Sequence, residues 1–132
     1  MGMYTGLYFK ALIKEEYREM VDSAISDHDW AAIGEKFPIA KEWAKVGRCK
    51  FIPWGALCYM PDDFPDPCRD MTNGVWEVSC SLKNYEGEIQ KFVEEVLKPI
   101  SQEIYECFSL YEEYGEAGEY GESNWRKYVR TY

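Results

Sequence analysis

Residues 75–100 hold the pattern that most restricts the fold. Val75 to Leu82 reads VWEVSCSL, with Val75, Glu77, Ser79 and Ser81 on one side and Trp76, Val78, Cys80 and Leu82 on the other. That is the two-residue period of a strand with one buried face. The period then switches. Ile89, Phe92, Val93, Val96, Leu97 and Ile100 fall on one stripe of a helix. Asn84 stands where an N-cap is expected, and Pro99 should end or kink the helix. A one-faced strand and a one-striped helix hide their apolar sides against each other. The expectation is a sheet with helices laid on one face.

The other segments extend that plan. YTGLYFKALI, residues 4–13, has the aromatic and β-branched content of a strand. Tyr17, Met20, Val21, Ala24 and Ile25 repeat at helical spacing, so a helix is expected from Lys14 to Ser26. Glu15 and Glu16 sit in its first turn, at the positive end of the helix dipole. Asp27-His28-Asp29 breaks the pattern. Trp30, Ile33 and Phe37 predict a short helical turn, and Pro38 opens another through Ile39, Trp43 and Val46, with Gly47 as its stop. Residues 48–60 read as two short strands around Pro53-Trp54-Gly55. Residues 61–73, PDDFPDPCRDMTN, carry three prolines and four aspartates and predict the longest loop. Ile104, Cys107, Phe108, Tyr111 and Tyr114 would fit a helix over residues 104–114, but the aromatic enrichment and the glycines that follow favour a strand and a hairpin. The expected architecture is one α+β domain over residues 1–132. Its sheet is mostly antiparallel with about five strands, two or three helices pack on one face, and residues 123–132 add a last strand or fray.

Composition narrows the function. The 132 residues are one domain's worth of chain, and 24 acids against 15 bases give a net charge of −9. That argues against direct nucleic-acid binding, which needs a basic face. No apolar run approaches the ~18–20 residues of a membrane span. The cysteines, Cys49, Cys58, Cys68, Cys80 and Cys107, are odd in number and show no CxxC spacing. With no secretory leader pattern at Met1–Gly6, reduced thiols and a cytoplasmic setting are expected.

Chemical motifs are sparse. The chain has 1 histidine, His28, so a His-cluster metal site is excluded. His28 lies between two aspartates at a helix break, where a surface or capping role is the plain reading. Asp62, Asp63, Asp66 and Asp70 lack the spacing of a calcium loop. No phosphate-binding glycine loop or nucleophile motif is present. The expectation is no enzyme, no metal and no cofactor. Trp43 and Trp76 are expected in the core, and Trp54 and Trp125 half-exposed.

The strongest compositional feature is late in the chain. From Glu103 to Glu122 there are seven glutamates and no base, interleaved with Tyr105, Tyr111, Tyr114 and Tyr120. Acidic patches attract cationic partners and speed their capture. Tyrosine buries interface area at modest entropy cost. The plain alternative is a solvated sheet edge whose charges prevent edge-to-edge aggregation. The candidate partner-binding residues are Glu106, Tyr111, Glu112, Glu113, Tyr114, Glu116, Glu119 and Tyr120.

VWEVSCSLKNYEGEIQKFVEEVLKPI, with Tyr111-Glu112-Glu113 and FIPWGALCYMPDDF, resembles small uncharacterised accessory proteins of phages and prophages of Gram-positive bacteria. The resemblance implies a mobile-element setting, in which such proteins act as inhibitors of host defence, including anti-CRISPR proteins. The expected function is non-enzymatic inhibition of a basic, nucleic-acid-handling protein of the host cell. A homodimer through a sheet edge is a further expectation. The alternative is a small-ligand or nucleotide-binding module, with aromatic rings stacking a base and Arg126, Lys127 and Arg130 meeting phosphates. A virion component is a remaining reading.

Overall fold

The computed structural model describes residues 4–26, 29–45, 52, 60, 64–84, 86–111 and 129–132. β1 (Thr5–Ile13) leads into α1 (Glu15–Ser26), α2 (Trp30–Lys36) and α3 (Pro38–Lys45). β2 (Cys68–Thr72) and β3 (Val75–Leu82) form a hairpin. A helix over residues 88–100 follows, and β4 (Ser101–Tyr111) starts directly from its last residue. β5 (Arg130–Thr131) closes the order. The five strands form one antiparallel sheet in the order β2-β3-β1-β4-β5, so the first strand is the central one. This is the expected α+β fold. α2 and α3 are separate pieces, as the break before Pro38 predicts.

Strand alternation decides which side the helices take. Leu7, Phe9, Ala11 and Ile13 of β1 join Trp76, Val78, Cys80 and Leu82 of β3 and Cys107 of β4 on one face. Against them pack Met20, Val21 and Ala24 of α1, Ile33 of α2, Ala40 and Trp43 of α3, and the apolar stripe of the 88–100 helix. Trp43 and Trp76 are fully buried, as expected. Asp29 caps α2, its Oδ1 accepting from the Ala32 N–H at 3.2 Å. Trp54, Trp125, His28 and the strands expected over 48–60 lie outside the described residues, Ile52 and Met60 excepted.

The 88–100 helix shows how Pro99 is accommodated. The regular turns of α4 (Glu88–Phe92) give way to a π-helical stretch, Val93–Leu97, before a last turn, α5 (Lys98–Ile100). Lys98 N–H donates to Val93 O, five residues back. Pro99 has no N–H, and its ring would crowd the carbonyl four residues earlier. The wider turn ahead of it relieves that crowding. Asn84 does not occupy the N-cap position, which falls on Gly87. It still serves as a cap, its Oδ1 accepting from the Ile89 N–H at 2.9 Å.

The long loop expected over residues 61–73 is overturned in its second half, because Cys68–Thr72 is strand β2. Aspartate and arginine are tolerated there because β2 is an edge strand with exposed side chains. The decisive signal is Asn73-Gly74. Both residues have positive φ, 54° and 83°, as a two-residue type I′ hairpin requires. Gly74→Ala is expected to cost about 1–2 kcal/mol, since a side chain is strained at that φ and its Cβ would collide with the Arg18 guanidinium. Urea titration checks this. An unchanged midpoint would refute the turn's role in stability.

Candidate functional site

The face of the sheet turned away from the helices is built by the alternate residues. β1 contributes Gly6, Tyr8, Lys10 and Leu12. β3 contributes Val75, Glu77, Ser79 and Ser81. β2 adds Cys68 and Asp70, and β4 adds Glu103, Glu106, Phe108 and Leu110.

One half of this face is covered. Phe64 and Met60 pack on Tyr8, Leu110 and Phe108, with Val129 beside them. Phe64 meets Phe108 edge-on at 5.9 Å between ring centroids. The cover fits because position 6 is glycine. A Cβ there would stand 2.5 Å from Met60 Sδ and 2.9 Å from the Phe64 ring. Ser79 is buried beneath this segment, and its hydroxyl donates to Pro65 O at 2.7 Å.

The other half is polar. Asp70 lies opposite Glu77, Glu77 opposite Lys10, and Lys10 opposite Glu106. The register thus draws a cross-strand row, Asp70–Glu77–Lys10–Glu106, over four strands spaced ~4.8 Å apart. Asp70 and Glu106 are exposed, Glu77 and Lys10 half-buried. Tyr8 O–H donates to Glu77 Oε2 at 2.6 Å and ties the row to the covered half.

A bulge completes the grouping. β1 pairs Lys10 with Glu106 but Ala11 with Ile104, so Tyr105 is the extra residue. In a regular strand Glu103 and Glu106 would point to opposite faces. The bulge re-phases the strand, placing Glu103 on the same face, opposite Leu12. Tyr105 is left 47% exposed, the most exposed of the large apolar side chains described.

The titrating neighbours register the negative field of this row. Burial pushes the Tyr8 phenol up, and the bond and charge of Glu77 and the charge of Glu106 add to it. Burial likewise pushes the Cys68 thiol up to about 11, helped by Glu77 and Asp70 and opposed by a backbone hydrogen bond from Ser79. A thiol held protonated at neutral pH is a poor nucleophile. Among the described residues no group of three or more His, Cys, Asp or Glu is placed to hold a metal. The arrangement can hold positive charge and donate or accept hydrogen bonds.

Of the residues singled out from the sequence, Glu106 lies in this row. Tyr111 does not share its face. It pairs with Thr5, half-buried, on the helix side of the sheet. Five residues of regular strand separate the two, and an odd separation puts side chains on opposite faces. Glu112, Glu113, Tyr114, Glu116, Glu119 and Tyr120 lie outside the described residues. Asp70, Glu77 and Lys10 were not among the candidate partner-binding residues, and Asp70 was weighed only as a calcium ligand. The signal for them was the Asn73-Gly74 hairpin, which fixes the β2–β3 register.

Comparison with protein-family models, curated proteins and solved structures returns no match to this chain. Among the described residues no helix is long and apolar enough to cross a membrane.

Proposed function

We propose that this chain is a non-enzymatic binding protein that inhibits a basic, nucleic-acid-handling protein. The setting that fits its resemblance is a phage or mobile element, with a defence component of the host cytoplasm as target. One observation carries the reading. Asp70 and Glu77 stand directly opposite each other on neighbouring strands. Like charges so placed destabilise a sheet. Lys10 offsets part of that charge, and Glu106 and Glu103 restore it. A cationic surface seated on the row relieves the repulsion, so folding and binding pull in opposite directions at these positions. In the sequence, Glu112, Glu113, Glu116, Glu119 and Glu122 add to the chain's net negative charge. Carboxylates can occupy a groove that otherwise takes phosphates.

Two variants test this. Asp70→Lys and Glu106→Lys change exposed side chains, so neither should disturb the core. Asp70→Lys replaces a like-charge pair by an opposite-charge pair and is expected to stabilise the free protein by about 0.5–1 kcal/mol. The double variant should nonetheless retain about tenfold less of the basic proteins captured from host extract, mainly through slower association. Added duplex DNA should compete for the same captured proteins. Equal capture by wild type and the double variant would remove the row from the function.

A further inference from the structure

We infer that the bulged stretch of β4, residues 102–106, seats an arginine from a loop of the partner, its guanidinium stacked on the Tyr105 ring and paired with the Glu106 carboxylate. The inference rests on the reading above that the partner is a basic protein, and it names the side chain that docks and the residue that anchors it.

Two register shifts close together set this stretch apart. Glu106 pairs with Lys10 and Ile104 with Ala11, then Glu103 with Leu12 and Ser101 with Ile13, so Tyr105 and Gln102 are both extra residues. A regular strand sends adjacent side chains to opposite faces. A bulge sets two residues against one and breaks that alternation, so Tyr105 and Glu106 can serve one ligand. Glu103 stands two ladder positions from Glu106 on the same face, roughly 7 Å along the strand. The frame is held from within, because Ile104 packs against the main core and Cys107 is buried in it. Around these anchors Gln102, Glu103, Tyr105 and Glu106 are all exposed. The ion pairs among the described residues join Lys36 to Glu19, Lys45 to Glu42 and Lys98 to Glu94, and none engages Glu103 or Glu106. Lys10 stands opposite Glu106 without closing an ion pair to it.

Ring and charge together select the occupant. The face of an exposed tyrosine attracts a cation within about 6 Å of its centroid. It also offers contact area at low entropy cost, since its side chain has few rotatable bonds. A guanidinium is planar, so it lies flat on the ring while its N–H groups point sideways to a carboxylate. A lysine ammonium is a compact, strongly hydrated charge and gains less from the ring. A neutral side chain gains nothing from Glu103 and Glu106. The bulges interrupt the ladder and oppose an added strand, so the partner contributes a side chain from a loop. A second copy of this chain fits poorly, because each copy carries a net charge of −9.

The test uses the full chain and cyclic hairpin peptides that differ only at one loop position, which is arginine, lysine or the neutral isostere citrulline. Binding is followed by NMR. The arginine peptide should shift the amides of Tyr105 and Glu106. Its own side-chain methylenes should move upfield, the ring-current mark of stacking on an aromatic face. The lysine peptide should bind about threefold more weakly and the citrulline peptide about tenfold more weakly. Tyr105→Ala should weaken the arginine peptide about fivefold and erase the upfield shifts, whereas Tyr105→Phe should keep both. Deleting Tyr105 restores the regular pairing of Ile104 and Glu106 with β1 and leaves Glu106 on its face, so it should act like Tyr105→Ala. Equal binding by wild type and Tyr105→Ala, or shifts centred on Asp70 and Glu77 with no upfield methylenes, would overturn the arginine seat while leaving the acidic face as the binding surface. Absence of binding by the arginine peptide, or equal binding by the citrulline peptide, would overturn it too. Failure of the reading beneath it shows separately, as unchanged capture of basic proteins by the double charge-reversal variant.

Discussion

Trp43→Ala is expected to lower stability by about 3–5 kcal/mol and the melting temperature by on the order of 10–20 °C. Trp43 is fully buried. Its ring lies 4.8 Å from Trp30 in an edge-on contact, and 5.6 Å from both Trp76 and Phe92. Those neighbours belong to α2, β3 and the 88–100 helix, so one side chain from α3 joins three other elements. Its loss removes buried area and leaves a cavity that rigid neighbours cannot fill. Each ring pair adds about 0.5–1.5 kcal/mol beyond its area. Trp76→Phe should cost clearly less, because the Trp76 Nε1 has no hydrogen-bond partner among the described residues and its removal leaves none behind. Tyr105→Ala, on the exposed bulge, should stay within about 0.5 kcal/mol. Thermal melts of the three variants check the order. A Trp43→Ala cost below about 1 kcal/mol would mean that α3 does not anchor the core.

Local patterns carried most of the fold into view from the sequence. The alternation over Val75–Leu82 and the stripe from Ile89 to Ile100 are each complete within one element, and both sit on the helix side as expected. β2 was hidden because an edge strand needs no alternation of its own. Its cysteine, arginine and aspartate obey solvent, while its register is dictated by the two residues after it. The acidic row was hidden for a different reason. Its four members come from four strands, so no window of sequence contains them. The bulge at Tyr105 adds a second concealment, since it reverses the side on which Glu103 falls. Parity, by contrast, was available from the start. Glu106 and Tyr111 are five residues apart on one strand and could not share a face without a bulge between them.

The end of the chain is tied to both layers. Tyr132 N–H donates to Cys107 O at 2.9 Å, and its hydroxyl lies 3.0 Å from Ser109 Oγ. With its amide oxygen turned towards Arg130, Gln90 accepts from both guanidinium nitrogens, at 3.1 and 2.6 Å. The short β5 is thereby held to β4 and to the 88–100 helix. It pairs only with Phe108 and Ser109, so the stretch of β4 bearing Glu103 and Glu106 is paired with β1 on one side and has no described strand on the other. That edge is interrupted by bulges at Gln102 and Tyr105, which oppose strand addition. β2 pairs with β3 in unbroken register over its whole length, so the two ends of the sheet are not equivalent.

Raising the pH above 9 is expected to destabilise the protein steeply. Burial pushes the Cys80 thiol from the ordinary 9.0 to about 12, with the Cys68 charge adding to it. Burial pushes Cys107 to about 12 as well, the charge of Lys98 working against it. In the unfolded chain both thiols ionise near 9, while in the folded protein they keep their protons. The unfolded state therefore binds fewer protons between pH 9 and 12. The stability these neutral thiols contribute is complete below pH 9 and is lost as pH climbs towards 12. Each thiol accounts for about 1.4 kcal/mol per pH unit in that window, so the pair steepens the loss to about 3 kcal/mol per unit. Tyr8, raised by burial and by Glu77, adds in the same direction above its ordinary 10.0. Urea midpoints under reducing conditions from pH 7 to 10.5 would measure the slope. Cys80→Ala should lower the midpoint modestly at pH 7 and halve the slope between pH 9 and 10. An alkaline slope unchanged by that substitution would show that the Cys80 thiol is not held neutral by the fold.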